Sequence, residues 1–488
     1  MQEVKHIVFA STEAKPYASD SGMGNFLEHM PKCLSELGHH VTLILPYYRQ
    51  IKSCNLTLDY PPKKFVVQLG DIFVEVGIGR TQITPNLNVI FIIKDDYFDR
   101  EGLYNDINGN YKDNAERFIF FSKAIVALLE EFEIKTDILH INDWQTGLVP
   151  AIIRTTENNN SFFKGVQTIF TVHHIAHQGL FWHYDLHMTN LPWDVFTPEG
   201  IEYYGRLNML KSGIVYSDFI TTLSPRYIYE LQTESYGCGL EGLFQKRKGS
   251  MQGILGGIDY NEWSPENDRF IKTNYSLSSL AQKNRCKENL IQSCGLNTSI
   301  SIPVYGLDMC YTDKNDLETL FTAFSMISDK KCILIILKDW QNENHEAFNI
   351  LRNGSEKDMS VCILDRDQHM THLLLAGSDF MLHPSRYQPC GLEQLHCLKY
   401  GTIPIVFASG PIDDIIADFD TNKNIGNGIK YFSHESEAHM QSIKKSLHIY
   451  KSPKSLRCLQ ENAMQYDLSW NRTAKEYSKL YLELPNKE

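Results

Sequence analysis

No surplus of positive charge runs through this chain of 488 residues: 47 Lys and Arg stand against 59 Asp and Glu, a net charge of −12. Nucleic acid and anionic membrane surfaces need cations that neutralise phosphate, so neither is an expected partner. The one basic run, Gln245-Lys246-Arg247-Lys248, reads as a solvated surface turn. No apolar run is long enough to span a bilayer. The opening Val4-Lys5-His6-Ile7-Val8-Phe9-Ala10 is too short and too strand-like for a signal peptide. The eleven cysteines stand singly, with no CxxC pair and no Cys/His ligand cluster. That pattern argues against a disulfide framework or a metal site and for reduced thiols in a cytoplasmic protein. Low-complexity tracts and repeats of solenoid length are also missing.

What is present is an alternation of short apolar strands with amphipathic helices. Residues 5–10 read as the first buried strand, 26–37 as a helix ended by Gly38, and 41–46 as the second strand. This βαβ opening predicts a parallel sheet. Further strands are expected at 65–76, 87–93, 138–142, 166–172 and 219–223, with helices at 114–132 and 147–154. A second block restarts the pattern, with strands at 302–307, 332–337, 361–364, 380–383 and 403–406 and helices at 316–327 and 369–375. The expected fold class is therefore α/β, built from two doubly wound Rossmann-like domains. The Gly-rich turn at 253–259 is the expected boundary. The Asn/Asp/Lys-rich stretch at 420–427 reads as a surface loop.

The stretch with the clearest chemical content is Ser385-Arg386-Tyr387-Gln388-Pro389-Cys390-Gly391-Leu392-Glu393-Gln394. It follows a buried strand and opens a helix. A strand, a tight Pro/Gly loop and a helix N-terminus present free backbone N–H groups to an anion. In an open α/β sheet such a loop lies at the carboxyl end of a strand, where ligands bind.

Ordered motifs along the chain carry a resemblance. They are Asp99-Arg100-Glu101-Gly102-Leu103-Tyr104 with Asp113-Asn114-Ala115-Glu116-Arg117-Phe118; Asp143-Trp144-Gln145-Thr146-Gly147; and Thr171-Val172-His173-His174-Ile175-Ala176-His177-Gln178-Gly179. Gly237-Cys238-Gly239-Leu240-Glu241-Gly242-Leu243, Gly253 to Tyr260, Pro384 to Gln394 and Asp467-Leu468-Ser469-Trp470 follow. Together they resemble the bacterial glycogen synthases and plant starch synthases over essentially the whole length. The resemblance implies a GT-B architecture, two Rossmann-like domains facing across a cleft with a C-terminal helix crossing back to the first. It divides the chain into residues 1–252, 253–466 and 467–488. It also implies retaining transfer of glucose from ADP-glucose to the non-reducing end of an α-1,4-glucan, with no metal and no other cofactor.

Without a metal, the departing diphosphate must be met by Lys, Arg and helix N-termini. The resemblance says where these should stand, and four positions differ. The lysine of the family loop Lys-Thr-Gly-Gly-Leu-Gly-Asp is Ser19, in Ser19-Asp20-Ser21-Gly22-Met23-Gly24-Asn25. Counting from the shared Gly306, the arginine and lysine of the family's Ser-Arg-Leu-x-x-Gln-Lys-Gly fall on Cys310 and Asn315, with Lys314 adjacent. The glutamate of Glu-Pro-Cys-Gly-Leu is Gln388. The second glycine of Thr-Gly-Gly is Pro411, which removes an N–H donor. The family asparagine of Asn-Gly-Ile-Asp is Gly256, and an arginine is Phe407. Retained positions are His173 at the donor sugar and, as donor-binding residues, Gly22, Gly24, Asp143, Gln178, Cys390, Gly391 and Leu392. Read on its own surroundings, His173 fits a hydrogen-bonded structural histidine slightly better. Cys390 reads as a small buried residue before a helix, and Asp143-Trp144 as a turn cap with packing. Tyr47-Tyr48, Trp182 and Trp340 read as core or loop packing rather than as a sugar platform.

Three functions follow as expectations. The first is a catalytically silent or impaired relative that binds glucan or regulates an active synthase. The second is an active glucosyltransferase using ADP-glucose. The third is a transferase with a changed donor, in which Asp20, Glu393 and Asp413-Asp414 take a divalent ion; their reading as ordinary loop and helix-start residues is preferred. The expected partners are an α-glucan, ADP-glucose and an active glycogen synthase.

Overall fold

The computed structural model describes residues 3–54, 56–59, 63–156, 160–309, 312, 314–327, 331–338, 359–385 and 392–485. The chain divides into two compact units, Met1–Leu255 with Trp470–Glu488, and Gly256–Ser469.

The first unit holds β1 (His6–Ala10), β2 (His40–Pro46), β3 (Lys63–Leu69), β4 (Ile72–Thr84) and β5 (Leu87–Ile93). A short hairpin, β6 (Asn105–Asp106) and β7 (Gly109–Asn110), precedes β8 (Ile138–Asn142) and β9 (Gln167–Val172). Then come β10 (Leu180–Trp182), β11 (Glu202–Tyr203), β12 (Arg206–Asn208), β13 (Phe219–Thr222) and β14 (Met251–Gly253). The main sheet has the order β14-β13-β9-β8-β1-β2-β5-β4-β3. Its pairs are parallel from β14 to β5, and β4 and β3 add an antiparallel edge. The single strand expected at 65–76 is thus a hairpin. Gly70, at φ +58°, takes the left-handed turn that reverses the chain there, and Gly70-Asp71 was the turn signal inside the expected strand.

Helix α1 (Gly22–Glu36) begins four residues before the expected start, because the Ser21 hydroxyl caps it by accepting from Met23 N. Its buried face carries Met23, Phe26, Leu27, Met30 and Leu34. The last helix, Trp470–Glu483, packs on that face: His29 stacks on Trp470 at 5.3 Å and Phe26 meets Tyr477 at 5.7 Å. Two buried polar links fix it further. His39 Nε2 lies 2.8 Å from Ser478 Oγ, and His140 Nδ1 lies 2.7 Å from Tyr481 Oη.

The second unit holds β15 (Val304–Asp308), β16 (Cys332–Lys338), β17 (Met359–Asp365), β18 (Phe380–His383), β19 (Ile403–Phe407) and β20 (Ile429–Tyr431). They form one parallel sheet in the order β17-β16-β15-β18-β19-β20. Strands β15 and β16 are buried on both faces apart from Lys338, which is why they read as continuous apolar runs. A buried pair, Lys287 Nζ to Asp379 Oδ2 at 2.6 Å, also takes in Tyr450 Oη at 2.7 Å. Both partners are hydrogen-bonded, which is what a buried charge requires. Among the described residues no helix is long and apolar enough to cross a membrane.

Candidate functional site

In the first unit the carboxyl ends of β1, β8 and β9 converge on one set of side chains. The loop after β1 runs from Ser11 to Ser21 and is organised by Glu13, which is buried. Its Oε2 accepts from Asp20 N at 2.8 Å, Ser21 N at 2.7 Å and Ser21 Oγ at 3.0 Å. Its Oε1 accepts from Tyr104 Oη at 2.8 Å. The carboxylate therefore takes two of the backbone donors before α1, and Gly22 N is not among them. Ser19 Oγ donates to Ser21 O at 3.2 Å, so its hydroxyl is turned into the loop. Gly24 is required there, since a Cβ on it would lie 2.0 Å from Ser19 Oγ.

Asp143 follows β8 and is buried. Its Oδ1 accepts from His173 N at 2.7 Å and from His174 N at 3.4 Å. Burial pushes its carboxyl up to about 7, against the lowering effect of those N–H groups. His173 follows β9. Its Nε2 lies 3.0 Å from Asn142 Oδ1, and Asn142 Nδ2 donates to Ala10 O at 3.2 Å. With the amide so oriented, Nε2 carries the proton and donates. Nδ1 then has its lone pair and no partner among the described residues. Burial holds the ring neutral, lowering it to about 3. Phe26 of α1 stands edge-on to this ring at 5.2 Å. Gln178 is fully committed: Nε2 donates to Cys238 O at 2.9 Å and Oε1 accepts from Asn208 Nδ2 at 2.7 Å. It ties the loop after β9 to its neighbours.

In the second unit Asn315 is exposed in the first turn of the helix Lys314–Ser325. Lys314, also exposed, pairs with Glu318 at 3.8 Å. Leu392 is the first residue of the helix Leu392–Lys399. Cys310, Gln388, Cys390, Gly391 and Trp340 lie outside the described residues. At the carboxyl ends of β15 and β17, buried Asp308 accepts from Arg366 Nε at 2.9 and 3.1 Å. Asp413 pairs with Lys430 at 2.6 Å. Among the described residues no group of three or more His, Cys, Asp and Glu is placed to hold a metal ion.

Sequence reasoning thus named Ser19, Gly22, Gly24, Asp143, His173 and Gln178, all in the first unit. It missed Glu13, Asn142 and the Asp308–Arg366 pair, and held Tyr104 only as a member of the motif at 99–104. Asn142 adjoins the motif that starts at Asp143, which was the available signal for it, whereas Glu13 lies outside the loop motif that starts at Ser19. Of the aromatic candidates, Tyr48 is buried, as the packing reading has it. Trp182 is 61% exposed and so not core, and its ring meets His183 at 5.8 Å and Tyr184 at 4.6 Å within its own loop.

Residues 6–246 match the family model described as the starch synthase catalytic domain. A glycogen synthase of Koribacter versatilis is 36% identical, over 98% of this chain and 97% of the relative. The chain belongs to the glycogen and starch synthase family. A glycogen synthase of Syntrophotalea carbinolica is 34% identical over 98% of both chains. Among solved structures, the catalytic domain of starch synthase IV from Arabidopsis thaliana, bound to ADP and acarbose, is similar at a TM-score of 0.81 and 25% identity, covering 98% of this chain and 99% of that one. Sucrose-phosphate synthase of Thermosynechococcus elongatus shares the fold at a TM-score of 0.57 and 15% identity, covering 98% of each chain. The GT-B class expected from the motifs is therefore the observed one: each unit of this family member is a Rossmann-like α/β domain built on a parallel sheet.

Proposed function

We propose that this chain is a catalytically silent or strongly impaired member of the glycogen and starch synthase family, acting as a glucan-binding or regulatory relative in storage α-1,4-glucan metabolism. The observation that carries the reading is the loop before α1. Where the family places a lysine, Ser19 spends its hydroxyl on Ser21 O, and its neighbours Glu13 and Asp20 are acidic. A leaving diphosphate there meets a helix N-terminus without the lysine. The substitutions at Cys310, Asn315 and Gln388 act in the same direction. Losing one preorganised electrostatic group costs about 10²–10³ in rate, and groups that act together are non-additive. Glucan and ADP-glucose are the ligands to test, and an active synthase is the partner this role calls for.

The test is incorporation of labelled glucose from ADP-glucose and UDP-glucose into glycogen by the purified chain. A rate at least about 10³-fold below an active family member assayed alongside is expected. A comparable rate refutes the silent reading. It would establish the second one, ordinary transfer from ADP-glucose, which the 36% identity to a named glycogen synthase favours. Donor hydrolysis that appears only with an added divalent ion would instead mark a changed chemistry.

A further inference from the structure

The second unit contains a cavity set apart from the residues discussed so far as donor-binding. Its volume is about 260 Å³, and it is bounded by the start of the helix Lys283–Ser293 and the start of the helix Pro453–Gln465. Asp379, in its wall, directly precedes β18, and its Oδ2 accepts from Val304 N, at the start of β15, at 2.8 Å. The cavity therefore lies at the amino ends of these two strands. The stretch Ser385–Gln394 departs from the other, carboxyl end of β18.

The wall is cationic in a chain whose net charge is −12. Lys283 and Lys287 are both buried there. Lys287 Nζ is engaged by Asp379 and by Tyr450 Oη. Lys283 Nζ donates to Thr402 Oγ1 at 2.6 Å, Ala376 O at 2.9 Å and Leu375 O at 3.4 Å. All three acceptors are uncharged, and among the described residues no carboxylate pairs with this ammonium. Buried charges are ordinarily paired, and burial here lowers Lys283 to about 8. Asp379 is thus one carboxylate against two ammonium groups. Half-buried Arg457 adds a third cation, held by Glu461 at 2.6 Å. Two amides complete the polar lining, Asn284, which is exposed, and Gln460, which is only 9% exposed. Neither side chain has a hydrogen-bond partner among the described residues. Buried polar side chains are seldom left unpaired, so the Gln460 amide is a group that a ligand can satisfy.

We propose that this cavity binds a small metabolite through an oxyanion, either a phosphate ester or a carboxylate. The two ammonium groups supply the field that favours a negative charge. The amides of Asn284 and Gln460 supply N–H donors, and the Arg457 guanidinium can present two more to one oxyanion. Leu280, Ala281 and Leu456 add apolar lining, which suits a short carbon skeleton. Sites for drug-sized ligands have volumes of about 300–1,000 Å³, so the occupant is smaller than a nucleotide sugar. The site shares no residue with the donor loop of the first unit, and it stands whether or not the chain transfers glucose.

The experiment is calorimetric titration of the full chain with glycerol phosphate, succinate and glycerol, at constant ionic strength in a buffer free of phosphate. At least one of the two anions should bind with saturation, and the tighter of them names the class, ester or carboxylate. Glycerol should not bind. In the double variant N284A/Q460L the dissociation constant should rise about ten-fold or more. Lys451→Ala, at an exposed lysine outside the cavity, should leave it unchanged. Urea midpoints report whether each variant folds. A double variant that does not fold is replaced by Asn284→Ala alone, whose exposed side chain the fold does not need and which should weaken binding several-fold. Wild type that binds neither anion overturns the proposal. Glycerol that binds as tightly as its phosphate also overturns it, because the oxyanion then contributes nothing. So does a folded variant of the cavity that binds like wild type, since the anion then sits elsewhere, as at the donor loop.

Discussion

Asp143 combines two costs at one position. Its backbone sits at φ +53° and ψ −177°, a region that side chains other than glycine rarely enter and that costs of order 1–3 kcal/mol. Its carboxyl is buried, and burial raises it to about 7. A strained backbone persists only where its surroundings over-determine it, and here the N–H groups of His173 and His174 hold the carboxyl. The linkage has a definite sign. The unfolded group ionises near 4, the folded one near 7, so between those values the folded state binds the extra proton. Stability from this group is present below about pH 4 and is lost as pH rises to about 7. Asp143→Asn keeps an Oδ1 acceptor for His173 N and His174 N and abolishes the titration. Its stability relative to wild type should therefore improve by about 2–3 kcal/mol between pH 5 and pH 8. Urea unfolding of both proteins at the two pH values measures it, and parallel pH dependence in the two would contradict it.

At the scale of elements, the loop before α1 and the helix are one device held by Glu13. Four donors reach its two oxygens, and hydrogen bonds to a charged acceptor contribute about 1.5–3 kcal/mol each at most. Glu13→Ala should cost about 3 kcal/mol or more of stability in the first unit and leave Asp20 N and Ser21 N unpaired. Hydrogen exchange at residues 19–24 should quicken well beyond the change in global stability; protection that falls only in step with global stability would show that Glu13 does not hold the loop. The turn after β9 gives a second case. Gly179 lies at φ +61°, and a Cβ there would stand 2.4 Å from the Trp144 ring. Gly179→Ala should destabilise by about 2 kcal/mol or more and shift the Trp144 fluorescence; an unchanged midpoint would mean the turn relaxes freely. These elements also mark how far the sequence could be read. The strands from β15 to β19 were visible within two residues at each end, because each is a short apolar run between turn residues. The loop residues Ser19, Gly22 and Gly24 were visible as a motif. Glu13 was not, because its role depends on Tyr104, 91 positions away, whereas the β3–β4 reversal was signalled by Gly70-Asp71 within what reads as one strand.

For the molecule as a whole, alternation of strand and helix was enough to announce two α/β units, since each block repeats the periodicity of a doubly wound sheet. What the alternation could not announce is how many histidines those units would bury. In the first unit burial lowers His140 and His173 to about 3. In the second it lowers His383 and His396 to about 3 and His439 to about 4. All five have folded values below the unfolded one of about 6.5. The unfolded chain therefore takes up protons first as the pH falls. Stability is whole above about pH 6.5 and drains away between there and about pH 3, at up to about 1.4 kcal/mol per pH unit for each ring. Asp143 opposes this in the first unit, gaining stability as pH falls from 7 to 4, but it stands against five histidines, since burial also lowers His6, His39 and His174. The second unit has three such histidines, so both units should lose stability as the pH falls. Hydrogen exchange of peptides from each unit at pH 7, 6 and 5, corrected for intrinsic rates, should show protection falling in both. Protection that stays level in the second unit over that range would mean those imidazoles are not held neutral by burial.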